Sequence, residues 1–366
     1  MTSVLFSPLR LAGLELPNRI AVSPMCQYSA DDGCPNDWHL THLGMLANSG
    51  AGLVVVEATA VERHGRITHG CTGLYSDANE AAFARVIAHC KRIGTAKFGV
   101  QIGHAGRKAS SQRPWEGGLG LKDGEDPWQT IAPSAIPFGD AWPAPREMTA
   151  ADIERVRNAF VEAVKRAVRV GFDAIELHGA HGYLLHSFVS PVSNKRTDQY
   201  GGSLENRMRF PLEVAEACRA AVPAEIPLGM RITGSDWVDD GITPDDAVNF
   251  AAALKARGID FVCVSSGGVT ADNKVKIGPG YQVPFAEKVK REVGIATRAV
   301  GLIATAKQAE AIVAEGKADM VALARAFLDN PHWGWDAALK LGAEVARPPQ
   351  YARVAPKLWP GATYRD

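Results

Sequence analysis

Short runs of β-branched and apolar residues recur along the chain, and most are followed by a segment with helical periodicity. Eight such runs stand out as candidate strands, at residues 19–23, 53–57, 98–102, 173–177, 227–232, 260–265, 297–301 and 319–324. Several are almost continuously apolar, such as Leu53-Val54-Val55-Val56. This is typical of strands that are buried on both faces of a parallel sheet.

Amphipathic segments separate these strands. The clearest covers residues 149–170, where Thr149 can cap the first turn and apolar residues recur at helical spacing, at Ile153, Val156, Phe160, Val164 and Ala167. Similar segments cover residues 79–92, 206–221, 244–257, 281–292 and 305–315. Thr243 before Pro244, and Thr305 before Ala306, mark helix starts.

Eight strands alternating with eight helices predict an α/β fold, the (β/α)8 TIM barrel, as one domain over residues 1–366. A doubly wound sheet is the alternative, but it usually has fewer strands and a glycine-rich phosphate-binding fingerprint. Gly117, Gly118 and Gly120 neither follow a strand nor open a helix, so they are not that fingerprint. We also predict an N-terminal hairpin over residues 9–17 that closes the barrel bottom. A long loop over residues 113–146, after the third strand, is expected to cover the active face.

Composition narrows the function. Basic residues number 40 and acidic residues 40, so there is no electrostatic reason for a nucleic-acid or membrane-surface partner. The N-terminus does not look like a signal peptide, and no apolar run approaches the thickness of a bilayer. The six cysteines (26, 34, 71, 90, 218 and 263) form no C-x-x-C pair. We therefore expect a cytoplasmic protein with reduced thiols and no zinc cage.

Three hydrogen-bonding side chains follow the fourth predicted strand directly. His178 and His181 can each donate to one oxygen, and Tyr183 can supply a proton. This combination suits polarising a carbonyl or nitro group and protonating the neighbouring carbon. A turn whose histidines only satisfy backbone groups is the alternative, but three such groups within six residues favour a functional site.

Other polar residues fall at the carboxyl ends of predicted strands, where barrel enzymes carry their chemistry. Gln101 can donate to and accept from an amide-like edge, and Arg231 carries a permanent charge that can stabilise an anionic ring. Backbone amides near Gly301 and after Ala324, with Arg325, can bind a phosphate. A phosphorylated planar cofactor satisfies all three features. Taken singly, Arg231 in an ion pair and Gln101 in the barrel core remain alternatives.

Several motifs together carry a family resemblance. They are Pro17-Asn18-Arg19-Ile20, Ser23-Pro24-Met25-Cys26-Gln27-Tyr28, Gln101-Ile102-Gly103-His104-Ala105-Gly106-Arg107-Lys108, His178-Gly179-Ala180-His181-Gly182-Tyr183-Leu184, and a long stretch over residues 188–207. On these residues the chain resembles the Old Yellow Enzyme family of FMN-dependent ene-reductases, close to the bacterial subclass that includes the xenobiotic reductases. The resemblance runs from Leu5 to about Arg353.

The resemblance implies a role for each matching residue. Those that would hold the flavin ring are Ser23, Pro24, Met25, Cys26, Ala60, Gln101 and Arg231, and those near its phosphate are Gly301, Ala324 and Arg325. Cys26 would donate a weak hydrogen bond to the flavin and tune its redox potential, although most free cysteines are simply small buried hydrophobic residues. His178 and His181 would bind the substrate oxygen, reduced FMN would give hydride to the β-carbon, and Tyr183 would protonate the α-carbon. Tyr28 would add a substrate hydrogen bond.

NADPH, or NADH, would be the hydride donor in such an enzyme. Because the chain carries no dinucleotide fingerprint, the nicotinamide must use the same mouth and leave before the oxidant enters, which predicts ping-pong kinetics. The oxidant is expected to be a small electrophilic alkene or nitro compound. Cyclic enones, maleimides, nitroalkenes, nitrate esters and nitroaromatics all present a suitable oxygen.

The C-terminal tail, from about residue 343 to 366, resembles a segment that in this subclass sends an arginine into the neighbouring subunit's active site. Arg353 and Trp359 are both candidates to contact the substrate there. We therefore expect a homodimer or tetramer that exchanges tails, with a frayed tail as the alternative.

Two other functions are compatible with the motifs. A metal-dependent barrel hydrolase or aldolase would use His178 and His181 as ligands, but no carboxylate or third histidine is obviously supplied, so we expect no metal. A noncatalytic flavin-binding barrel would hold FMN that a nicotinamide cannot reduce.

Overall fold

The computed structural model describes residues 3–272 and 274–364. Along the chain, its strands are β1 (Leu9–Leu11), β2 (Leu14–Leu16), β3 (Ile20–Val22), β4 (Leu53–Ala60), β5 (Lys97–Gly103), β6 (Ile131–Ala132), β7 (Arg146–Glu147), β8 (Ala174–Gly179), β9 (Leu228–Thr233), β10 (Phe261–Ser265), β11 (Ala296–Ala299) and β12 (Met320–Leu323). Strands β3, β4, β5, β8, β9, β10, β11 and β12 close into a barrel in that order, and each neighbouring pair is parallel. Each barrel strand overlaps one of the predicted apolar runs. The (β/α)8 fold is therefore confirmed.

Helices cover the outside of the barrel. They are α1 (Asp37–Ala47), α2 (Asp77–Ile93), α3 (Ala150–Val170), α4 (Leu184–Val189), α5 (Leu204–Ala221), α6 (Pro244–Lys255), α7 (Val283–Val293), α8 (Ala306–Ala314), α9 (Arg325–Asp329) and α10 (Trp333–Lys340). The predicted helix starts are confirmed, because the side chains of Thr149, Thr243 and Thr305 each accept a hydrogen bond from a backbone amide in the first turn. Helices α1 and α10 complete the eight that alternate with the strands.

The N-terminal hairpin closes the bottom of the barrel, as predicted. Its Leu11 and Leu16 are buried in a small cluster with Leu53 and Phe261, which open strands β4 and β10, and with Met320, which opens β12. The amino ends of the strands are therefore sealed from solvent. The chemistry is left to the carboxyl ends.

The long loop between β5 and α3 reaches the opposite face. Its Phe138 carbonyl accepts the Ala271 amide at 3.3 Å, beyond the carboxyl end of β10. The Nε of Arg113 donates to the Tyr28 carbonyl at 2.9 Å, beyond the end of β3. Since both contacts lie past strand carboxyl ends, the loop covers the active face as predicted.

No helix within the described part of the chain is long and apolar enough to cross a membrane. All six cysteines are unpaired.

Candidate active site

The end of β8 and the turn after it carry the predicted catalytic residues, and the turn has a conformation that only certain sequences tolerate. His181 has a φ of +60° and Gly182 a φ of +74°, both in the left-handed region that disfavours side chains. A Cβ on Gly182 would lie 2.1 Å from the Gly268 carbonyl oxygen. The Gly182 amide donates to His186 Nδ1 at 2.7 Å, and His186 Nε2 lies 3.0 Å from Asp236 Oδ1. The buried His186–Asp236 pair therefore holds the backbone of the turn in place.

The turn brings the three predicted side chains into contact. The His178 and His181 rings lie 5.2 Å apart, centroid to centroid, at an angle of 87°. The Tyr183 ring lies 4.7 Å from that of His178 at 72°. Edge-to-face packing of this kind holds each ring in one orientation.

His178 is a neutral hydrogen-bond donor. Burial lowers its pKa well below the ordinary value, and the positive charges of Arg231 and Lys108 lower it further. Its Nδ1 accepts the Ala180 amide at 3.3 Å, so the proton of the neutral ring lies on Nε2. That N–H makes no hydrogen bond to any other residue within the described ranges. It is therefore available for a substrate oxygen.

His181 is also neutral, and its donor is held by a neighbouring serine. Burial lowers its pKa well below the ordinary value, with Arg231 adding to the effect. Ser265 donates its hydroxyl proton to Gln282 Oε1 at 2.9 Å, so its oxygen accepts from His181 Nε2 at 2.7 Å and from Arg231 Nη2 at 3.3 Å. Only His178 thus offers an unengaged N–H here. For a substrate oxygen to receive both histidine donors, His181 must exchange Ser265 for that oxygen.

Both tyrosines keep their protons. Burial raises the pKa of Tyr183 well above its ordinary value, and burial likewise raises that of Tyr28. Tyr28 has a φ of +51°, and its ring meets Trp115 edge-on at 6.0 Å. A phenol that stays neutral through the working pH range can donate a proton.

A cavity of about 820 Å³ extends from this turn to the carboxyl ends of β11 and β12, within the roughly 300–1,000 Å³ usual for cofactor sites. One end is lined by Ser23, His181 and Arg231, and the other by Gly301, Leu302, Ala304, Ala324, Arg325 and Ala326. Helix α9 begins at Arg325 with no side-chain cap, so its first amides are left to another acceptor. The Nε of Arg231 is buried and has no hydrogen-bond partner within the described ranges. A planar anionic ring joined to a phosphate fits this donor set.

The other predicted flavin contacts are not among the residues that line this cavity, and they have different partners. Gln101 is buried and donates from Nε2 to Glu176 Oε1 at 2.7 Å. Met25 packs against the core, and Pro24 is half-buried beside it. Ala60 lines a small cleft shared with His178 and Tyr183. Burial raises the pKa of the Cys26 thiol, with Cys71 and Glu57 adding to it, so Cys26 remains a weak neutral donor.

The predicted tail residues do not meet this site within one chain. Arg353 is exposed on a short 3-10 helix, Pro349–Val354. Trp359 lines a separate cavity of about 170 Å³ with Trp335, Arg347 and Tyr351. Helix α10 separates the two spaces, because its Trp333, Asp336, Ala337 and Lys340 line the large cavity and its Trp335 and Leu339 line the small one.

Sequence reasoning missed several residues of the site. Gln282 accepts from Ser265 and from Ser266, both at 2.9 Å, but in the sequence it is merely a polar residue near the start of an amphipathic segment. Asp236 and His186 lie 50 positions apart. Only Lys108 carried a signal, because it ends the motif that begins at Gln101. Across residues 3–272 and 274–364, no group of three or more His, Cys, Asp or Glu side chains is placed to hold a metal ion.

Comparison with known proteins gives a consistent picture. A model of the NADH:flavin oxidoreductase / NADH oxidase family matches residues 4–342. An NADPH dehydrogenase of Geobacillus thermodenitrificans is 45% identical over 96% of this chain and 99% of its own length. An NADH:flavin oxidoreductase of Gibberella zeae is 43% identical over 93% of this chain and 86% of its own.

Solved structures agree with this. Morphinone reductase in complex with tetrahydroNAD is 28% identical, with a TM-score of 0.76 over 94% of this chain and 93% of that one. A 2-naphthoyl-CoA reductase has a TM-score of 0.83 at 24% identity. That likeness concerns the fold alone, and this chain spans only 52% of that one.

Fold, cavity and relatives together define a flavin-dependent oxidoreductase built on a TIM barrel. The chain belongs to the NADH:flavin oxidoreductase / NADH oxidase family, as its resemblance to the Old Yellow Enzymes predicts. It is an FMN-dependent NADPH oxidoreductase of the Old Yellow Enzyme type.

Proposed function

We propose that this enzyme reduces activated carbon–carbon double bonds of α,β-unsaturated carbonyl and nitro compounds. The observation that carries the proposal is the contact among three neutral donors: His181, which lines the cavity, and His178 and Tyr183, which line a small cleft. Such a cluster suits an acceptor oxygen together with a carbon that must be protonated. The flavin-binding roles given above to Ser23, Pro24, Met25, Cys26, Ala60, Gln101, Arg231, Gly301, Ala324 and Arg325 belong to the same proposal.

The protein residues divide the work as follows. His178 Nε2 donates to the carbonyl or nitro oxygen, and His181 joins it by leaving Ser265. Tyr183 gives its phenolic proton to the α-carbon, and Tyr28 adds a hydrogen bond. When bound, FMN reduced by NAD(P)H supplies the hydride for the β-carbon. Hydride addition puts negative charge on the distant oxygen, and losing one donor aimed at such an oxygen typically costs about 3–4 kcal/mol in the transition state.

The first test is the visible spectrum of the purified enzyme without oxygen. We expect a yellow flavin spectrum that bleaches on addition of NADPH and recovers on addition of cyclohexenone. Bleaching without recovery would reject the alkene as oxidant and move the search to nitro compounds. Flavin that NADPH cannot bleach would support a noncatalytic barrel. A colourless protein that takes up no FMN would return attention to a metal.

Steady-state kinetics test the shared mouth. If NADPH and the alkene occupy the same site in turn, double-reciprocal plots at several alkene concentrations are parallel. Intersecting lines would mean that both substrates bind together and would contradict the shared mouth.

The tail belongs to the proposal as an intersubunit element. We propose a homodimer or tetramer in which Arg353 or Trp359 contacts the substrate of a neighbouring subunit. Removal of the residues after Ala343 should reduce the particle size and raise KM for the alkene. A truncated enzyme of unchanged size and unchanged kinetics would count against tail exchange.

A further inference from the structure

Lys108 is a half-buried cation at the mouth that the proposed chemistry does not use. It ends the short 3-10 turn Gly106–Lys108 that follows β5. Its Nζ donates to the His181 carbonyl at 2.8 Å and to the Gly268 carbonyl at 3.1 Å. The ammonium also lies 4.3 Å from the centroid of the Phe138 ring and 4.9 Å from that of Tyr183. A single side chain thus contacts the catalytic turn, at His181 and Tyr183, and two other loops, at Gly268 and Phe138.

The two carbonyls belong to the most constrained part of the site. His181 and Gly268 both have positive φ angles, +60° and +83°, and the two loops are so close that neither glycine at this junction, Gly182 or Gly268, has room for a Cβ. Backbone held in this region needs support from its surroundings. Lys108 supports this backbone through the carbonyls of His181 and Gly268. His186 supports it separately, by accepting a hydrogen bond from the Gly182 amide.

The contact depends on charge. Hydrogen bonds from an ionised donor are roughly twice as strong as neutral ones, and attraction to the faces of two aromatic rings requires a cation. No carboxylate bonds to Lys108 within residues 3–272 and 274–364, so the carbonyls and rings alone compensate its charge.

We propose that Lys108 is a positioning residue, whose ammonium ties the turn carrying His181 and Tyr183 to the Gly268 loop and thereby keeps the substrate donors aligned. The inference rests on the proposed function for its consequence in catalysis. Its structural content, a charged tie between two loops, stands on the contacts themselves.

A pH dependence follows. Burial, with Arg107 adding to it, lowers the pKa of Lys108 to about 7. The tie is therefore complete well below pH 7, is half lost near pH 7 and weakens further above it. The other titratable groups around the ammonium are Arg107 on its own turn, His178 on β8, His181 and Tyr183 on the turn after β8, and His186 on α4. The loops around Phe138 and Gly268 supply a ring and a carbonyl.

The experiment compares the FMN-loaded wild type with Lys108→Met and Lys108→Arg. Lys255→Met is the matched control, because Lys255 also donates to two backbone carbonyls, those of Val293 at 2.8 Å and Gly294 at 3.0 Å, and these lie at helix ends remote from the mouth. The first readout is hydrogen–deuterium exchange in residues 181–184 and 266–270. The second is calorimetric titration with 4-methoxybenzaldehyde, a carbonyl probe without an ionisable proton.

We expect Lys108→Met to accelerate exchange in both segments and to weaken probe binding by about 10-fold, the effect of losing one charge-assisted hydrogen bond. Lys108→Arg should recover most of both losses, and Lys255→Met should resemble the wild type. Wild-type affinity for the probe should fall as the pH rises through about 7, and Lys108→Met should show no such fall.

Unchanged exchange and affinity in Lys108→Met would overturn the proposal. If that variant does not retain FMN, Lys108→Arg and the wild-type pH profile decide, and a flat wild-type profile overturns it equally. Failure of the proposed function appears elsewhere, as a wild type that NADPH bleaches but cyclohexenone does not reoxidise. Exchange and probe binding still test Lys108 in that case.

Discussion

The interior of the barrel contains an ion pair whose removal should destabilise the protein strongly. Arg298 on β11 and Glu176 on β8 form a salt bridge with 0% and 2% of their side chains exposed. The Nε and Nη1 of Arg298 have no hydrogen-bond partner within the described ranges, so Glu176 is the group that compensates the charge. Glu176→Gln keeps the volume and removes this compensation. Leaving one member of a buried pair uncompensated costs about 3–5 kcal/mol.

The pairing can be separated from the substitution by a double-mutant cycle. Arg298→Met alone should also lower the free energy of unfolding by about 3–5 kcal/mol, because it leaves a buried carboxylate without a counter-charge. Glu176→Gln with Arg298→Met removes both charges and should recover most of the loss, since apolar replacements of buried pairs are often neutral. The exposed pair Lys165–Glu162, 2.8 Å apart, gives the control, and Glu162→Gln should cost less than about 1 kcal/mol.

The assay is urea unfolding followed by tryptophan fluorescence, at one fixed and saturating FMN concentration because the bound cofactor adds to stability. A Glu176→Gln variant within about 1 kcal/mol of the wild type would refute the reasoning. So would a double variant no more stable than either single one. Gln101 gives a second readout, because its Nε2 donates to Glu176. If Gln101 binds the flavin edge, FMN affinity should fall in Glu176→Gln.

Three further predictions concern the site and its surroundings. Tyr183→Phe should slow alkene reduction by about 10²–10⁴-fold while NADPH still bleaches the flavin, which rapid mixing of each half-reaction measures; unchanged alkene reduction would remove Tyr183 as the required acid. Burial, with His39 adding to it, lowers the pKa of His42 to about 4. Its unfolded form is protonated below about pH 6.5 while the folded form is not, so stability falls as the pH drops from 6.5 to 4, by up to about 3 kcal/mol. His42→Gln should flatten this fall in urea midpoints, and an equally steep fall would argue against His42. Gly182→Ala places a Cβ 2.1 Å from a carbonyl oxygen, whereas Gly202→Ala, at a φ of +81°, meets nothing within 4 Å. Gly202→Ala should therefore cost only about 1–2 kcal/mol for its φ, and Gly182→Ala should cost more and lose alkene reduction; equal costs would mean that the close approach is unimportant.

The barrel was predictable because its strands carry a strong local signal. Runs such as 53–56 are buried on both faces, and their short length, their β-branched residues and the helical period that follows favour a strand over a helix. Helix α1 lacked such a signal. It buries His39 and His42 beside Leu43, Leu46 and Ala47 and exposes Trp38 and Met45, at 53% and 47%, so polar and apolar residues occur on both of its faces. Its buried polar side is explained by a tertiary contact, since His39 Nε2 lies 3.2 Å from Glu57 Oε1 on β4.

Within the site, too, some features could be predicted from the sequence and others could not. His178, His181 and Tyr183 lie within six residues, and a single turn brings them together, so a local motif was enough to predict their proximity. The engagement of His181 with Ser265 was not predictable, because it depends on the registers of three separate strands and on a glutamine that begins a helix. Gln101 shows that residue type alone does not predict which group a side chain contacts. Its residue type suggested recognition of a flavin, but its donor is directed into the barrel at Glu176.

The charges around the mouth explain why its donors are neutral and where its pH response must arise. Burial, with Arg231 and Lys108 adding to it, lowers the pKa values of His178 and His181 well below the ordinary value, so both imidazoles are neutral near neutral pH. Tyr183, its pKa raised by burial, keeps its proton there too. His178, His181 and Tyr183 therefore each keep one protonation state there, and the positive charge of Arg231 can stabilise negative charge on the flavin. Lys108 is the exception, with its pKa lowered to about 7. A loss of substrate affinity near neutral pH would therefore be assigned to the tie between the two loops rather than to the histidines, whose protonation would act in the acid range.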